Sequence, residues 1–119
     1  MSLVQTVTDR LAIDEEQTIN GLGALFLAIR MAVDMRTFTQ IASAFPDSSQ
    51  WMLKAPFQTG GTGEMLAMAT PGAVRRILLI AGFNDDQVRT LYDTVGSAIK
   101  ESVTPEAYKA MTDNLPLFD

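Results

Sequence analysis

The 119-residue chain is 47% hydrophobic, too apolar for a disordered tail and close to the usual size for one core. Histidine and cysteine are both absent, which removes imidazole bases, thiol nucleophiles, disulfides and the usual zinc sites. Nine basic against fourteen acidic residues give a net charge of -5, and only Arg75-Arg76 are clustered, so nucleic acid is not an expected partner.

In chain order, Leu3 to Ala12 spaces its apolar residues as an amphipathic helix does. Asp14 with Gln17 three positions on resembles a capping box, and Glu15-Glu16 supply first-turn acids that oppose the helix dipole. A long helix over about Asp14 to Val33 is therefore expected, followed by a shorter one capped by Asp34 and ended by Pro46. Between Asp47 and Thr70 the pattern becomes irregular. Asp47 is placed to cap a short helix carrying Trp51, Met52 and Leu53 before Pro56, and Gly60-Gly61-Thr62-Gly63 reads as a flexible loop. Pro71 to Gly82 is again amphipathic; Asn84 to Val103 repeats the capped long helix, and Thr104-Pro105 open a last helix that Pro116 ends.

Slid against itself by 70 positions, the chain places Ile13 to Pro46 on Phe83 to Pro116 without a gap. Ala28, Ile29 and Val33 fall on Ala98, Ile99 and Val103, and Phe38, Ile41 and Phe45 on Tyr108, Met111 and Leu115. The expectation is an all-α fold of six to seven helices, a single domain over 1–119 in which two pseudo-symmetric copies (about 3–46 and 73–116) flank an irregular connection, 47–70.

The long helices share an apolar seam, Leu22, Leu25, Ile29 and Val33 against Tyr92, Val95, Ile99 and Val103. Their far sides differ, since Ala24, Leu27 and Met31 correspond to Thr94, Ser97 and Glu101. A helix apolar nearly all round is buried on both sides: either the first long helix is central to the fold, or a second chain or an apolar ligand covers Ala24, Leu27 and Met31. Gly21 and Gly23 cost that helix about 1 kcal/mol each relative to alanine, so a close approach by another helix is expected there.

The run Gly21-Leu22-Gly23-Ala24-Leu25-Phe26, with Phe38, Ile41-Ala42, Phe45-Pro46, Leu53 and Ala55-Pro56, resembles the bacterial VcgC/VcgE-like family of uncharacterised helical proteins over roughly Ile13 to Val103. The duplicated order of acidic cap, long helix, short helix and proline, with Asn114-Leu115-Pro116 near the end, is also similar to an uncharacterised bacterial family of tandem helical repeats. The resemblance implies no activity and transfers no functional residue. Members of the first family often look exported, which matters because Met1-Ser2-Leu3 is compatible with a vector-derived start that replaced a leader. A cytoplasmic setting is slightly favoured, and the envelope follows if a leader was removed.

The acidic groups Asp14-Glu15-Glu16 and Asp85-Asp86 lack EF-hand spacing and sit where capping predicts them, so they are read as structural, with no metal. Thr59 to Gly63 leads to Glu64, which repels anions, and so reads as a linker rather than a phosphate loop. No Gly-x-Ser-x-Gly occurs, and without histidine a serine nucleophile needs a lysine or carboxylate base. No cofactor is implied. The longest apolar runs, Gly21 to Ile29 and Ile77 to Phe83, fall short of the ~20 residues that a membrane-spanning helix needs. The reading is a non-enzymatic protein-interaction or self-association module, with a homodimer or protein partner on Ala24, Leu27 and Met31. The alternative is apolar small-molecule or lipid binding in a Met-rich groove of Trp51, Met52, Phe57, Met65 and Met68.

Overall fold

The computed structural model describes residues 2–54 and 71–115. The fold is all-α, with seven helices among the described residues: α1 Leu3–Leu11, α2 Glu15–Ala32, α3 Met35–Ala44, α4 Ser48–Leu53, α5 Pro71–Ile80, α6 Asp85–Ser102 and α7 Pro105–Asn114.

Side-chain caps form at five helix starts, four of the five read from the sequence and one more at Ser2. Ser2, Asp14, Asp34, Asn84 and Thr104 each accept a backbone N–H three residues on, satisfying donors that have no partner inside the helix. The Asn84–Gln87 pair closes a full capping box. In addition, Gln87 Nε2 donates to the Leu11 carbonyl at 3.3 Å, tying the start of α6 to the end of α1. Asp47 departs from expectation, because it has helical backbone angles and its side chain makes no cap bond. There α4 instead continues a turn in which the Ser48 N–H donates to the Phe45 carbonyl at 2.9 Å.

The 70-residue offset recurs in the backbone. Helices α2 and α6 have the same length and corresponding ends, as do α3 and α7. Val33 and Val103 leave the long helices with φ/ψ of -116/167° and -124/171°. Each amphipathic first helix is followed by one residue of positive φ, Ala12 at 55° and Gly82 at 103°. For the exposed Ala12 this left-handed geometry costs roughly 1 kcal/mol, which glycine does not incur. Ala12→Gly is therefore expected to stabilise the chain by about 0.5 kcal/mol, the gain being reduced by the freer unfolded chain. A thermal melt beside the parent protein checks it.

One core takes residues from every helix. Val7, Leu22, Leu25, Phe26, Ile29, Ile41, Leu78, Leu91, Val95, Ile99 and Met111 are essentially sealed from solvent. All nine residues from Gly21 to Ile29 are buried, so α2 runs through the middle of the molecule. Its two sides are covered from within the chain: α4 packs along it, α1 and α5 lie against it, and α3 and α7 also touch it. Thr18 is fully buried yet satisfied. Its hydroxyl donates to the Asp14 carbonyl at 3.0 Å and accepts from Thr8 at 2.8 Å. Burial pushes the Tyr92 phenol up to about 12, so this seam residue stays neutral through the physiological range.

Candidate functional site

Ala24 and Leu27, expected as part of a partner face, are buried inside the single chain, at 2% and 5% exposure. Leu27 packs against Met52 of α4 and Ile77 of α5. The expectation that a second chain or a ligand covers this face is corrected accordingly: the chain's own helices fill it, and only Met31, near the end of α2, is half-buried. The corresponding face of α6 keeps Ser97 and Glu101 exposed, while Thr94 is buried with Arg10 Nη1 3.5 Å from its hydroxyl.

Of the groove expected around Trp51, Trp51 itself and Met52 lie among the described residues. Trp51 is 6% exposed; its ring stands edge-on to Phe26 at 5.3 Å, and Phe26 stands edge-on to Phe45 at 5.6 Å. These three rings form an aromatic cluster that fixes α4 on α2. Met52, the next residue, packs on Leu27 and also against the core that holds Trp51. Phe57, Met65 and Met68 lie outside the described residues.

Beside this aromatic cluster, α1, the start of α2 and α4 enclose a cleft of about 570 Å³. Val4, Ile19 and Trp51 contribute apolar walls, whereas the charged lining consists of Asp9, Glu15, Asp47 and Lys54. Three carboxylates against one amine make the cleft electronegative, in a chain already acidic overall. Gln5, Thr8 and Gln50 add donors and acceptors. Such a lining suits a polar, positively charged group with an apolar stem better than a fatty chain.

No family model, curated protein or solved structure matches the chain. The chemistry of the site therefore rests on the residues themselves.

Glu15 and Asp47 read in the sequence as helix-start residues and Asp9 is not among them; the three come around one cleft only when α1, α2 and α4 pack. Asp9 carries the one signal available in advance, since it lies neither at a cap nor in a first turn. A further sequence feature, Ser97-Ala98-Ile99-Lys100, has the Ser-x-x-Lys spacing of some acyl-transfer enzymes. Both side chains are exposed on the body of α6, and Lys100 Nζ stands 5.9 Å from the Tyr108 ring, a cation–π distance. Lysine bases in such pairs are desolvated, which this one is not. Among the described residues no group of three or more acidic side chains is disposed to hold a metal ion, and no described helix is long and apolar enough to cross a membrane.

Proposed function

We propose that the chain is a non-enzymatic protein-interaction module that docks a basic segment of a partner protein in the cleft between α1 and α4. The observation that carries this reading is the placement of Asp9, Glu15 and Asp47 around one concavity walled by the held ring of Trp51. A lysine or arginine of the partner lays its methylene stem on Val4, Ile19 and Trp51 and brings its charge among the carboxylates. The absence of histidine and cysteine supports a binding role over a catalytic one. The cleft's polar lining supports a peptide over a lipid.

The test is titration of the full chain with a short Lys/Arg-rich peptide and with an acidic peptide of equal length, at low and at physiological salt. Binding is expected for the basic peptide alone and should weaken with salt. The pair Asp9→Asn and Asp47→Asn together is expected to weaken it about tenfold, two partly exposed ion pairs at roughly 0.7 kcal/mol each. Equal binding of both peptides, or indifference to the two substitutions, would overturn the proposal.

A further inference from the structure

The helix contacts have a property that the docking cleft does not explain. Taking residues 2–54 and 71–115 as two halves, α1 packs on α6 and, reciprocally, α5 packs on α2. In the same way α3 packs on α6 while α7 packs on α2, and α3 meets its own counterpart, α7. Within the halves, α1 on α2 is matched by α5 on α6, and α2 on α3 by α6 on α7. Each of these contacts maps onto another, or for α3 with α7 onto itself, when the halves are exchanged; among the substantial contacts of the described helices, α4 on α2 has no mate. Closure of this kind is what a twofold axis imposes on an isologous dimer, where patch i meets patch j and j meets i.

Side chains repeat the exchange. Gln87 at the third position of α6 reaches the Leu11 carbonyl at the end of α1, and Gln17 at the third position of α2 reaches the end of α5, its Nε2 3.3 Å from where a Cβ on Gly82 would stand. Volume is traded across the same interface. The Phe83 ring lies over Gly21, and at the counterparts of these two positions the large and small pair becomes two residues of equal size, Ile13 for Phe83 and Leu91 for Gly21.

We infer that the two halves pair through a twofold, dimer-like interface, and that the chain self-associates by exchanging halves with a second copy of itself. Exchange remakes the same contacts between chains instead of within one, so it requires no new apolar face. The described surface offers little else: its exposed large hydrophobic residues are Met35, Leu53 and Ile80, on three different helices. The docking cleft is built wholly from the first half. An exchanged dimer therefore keeps two complete clefts and binds a partner with two basic segments bivalently.

The chain has no cysteine, so single thiols report on the interface cleanly. Gln40 on α3 and Thr104 at the start of α7 are both exposed, and their side chains lie 3.2 Å apart across the halves. Gln40→Cys and Thr104→Cys chains are mixed, unfolded, refolded together at high and at low protein concentration, and treated with a short bismaleimide. The double variant, refolded dilute, is the control for reach and must cross-link within one chain. The expected result is a dimer that grows with concentration, has the helicity of the monomer, and contains a covalent link between unlike chains, joining the thiol of the Gln40→Cys chain to that of the Thr104→Cys chain. A chain that stays monomeric at every concentration overturns the inference. So does a dimer in which the two variants fail to link while the control links. Peptide binding is read separately, so failure here leaves the docking proposal standing, and the converse also holds.

Discussion

Phe26→Ala is expected to destabilise the chain by about 3 to 5 kcal/mol, the range for truncating a buried phenylalanine where the surroundings relax only in part. Phe26 is fully buried and meets both Phe45 and Trp51 edge-on, so its loss opens a cavity between α2, α3 and α4 and also removes the ring contacts that hold α4 down. Since domains of this size are stable by only about 5 to 15 kcal/mol, the substitution consumes a large share of the total. Urea unfolding followed at the single tryptophan gives the stability, and the native emission should move to the red as Trp51 gains water. Leu53→Ala, at a side chain 73% exposed two residues further on, should change stability by no more than about 0.5 kcal/mol. If Phe26→Ala cost no more than this control, the aromatic cluster would not be what seats α4.

Gly21→Ala is expected to destabilise by up to about 2 kcal/mol, against the direction that helix propensity gives. Inside a helix alanine gains about 1 kcal/mol over glycine. A Cβ on Gly21, however, stands 2.6 Å from Phe83 Cζ and 3.1 Å from Cε1, well inside normal contact. Phe83 is 2% exposed, so its ring moves only by displacing neighbours, and overpacking of this kind costs about 1 to 3 kcal/mol. Phe83→Leu in the same chain should recover part of the loss, with a coupling of at least about 0.5 kcal/mol in the double-mutant cycle. Gly72→Ala serves as the contrast, because its added Cβ meets nothing within 4 Å; it should be neutral or mildly stabilising. Additivity of the Gly21 and Phe83 substitutions would contradict the close approach.

These cases show which parts of the fold local sequence determines. Caps and breakers act over three or four residues, so Asp14, Asp34, Asn84 and Thr104 mark helix starts before any packing is known. The 70-residue offset likewise foretells matching helix ends. What covers a face is a different kind of fact. The apolar side of α2 announces that Leu27 will be buried, but its neighbours Met52 and Ile77 lie 25 and 50 positions further along, and periodicity carries no information across such a distance. Gly21 shows the same division. Its cost to the helix predicts a close neighbour, yet the neighbour is the ring of Phe83, in the turn between α5 and α6, and not the body of a packed helix. The burial of Trp51 has a related cause: the short helix that carries it is legible in the sequence, and only the packing of α3 and α4 brings Phe45 and Phe26 onto its ring. The cleft is least legible, because Glu15 and Asp47 at helix starts and Asp9 near the end of α1 look alike whether or not they come around one cleft.

The proposed docking site and the proposed exchange make different demands on the molecule. Docking depends on Asp9, Glu15 and Asp47, all in the first half; exchange depends on contacts between halves that leave those residues in place. A partner carrying two basic segments would discriminate a one-cleft from a two-cleft assembly through the avidity that only the latter provides.

The central claim is that a basic segment lies beside Trp51, and nuclear magnetic resonance tests it most directly, since the chain's one tryptophan gives one indole N–H signal. During titration with a Lys/Arg-rich peptide, that signal and the backbone amides of Gln5, Asp9, Asp47 and Gln50 are expected to shift together and saturate at one equivalent. Shifts confined to α3 and α7, or none at all while the peptide is in excess, would contradict the account.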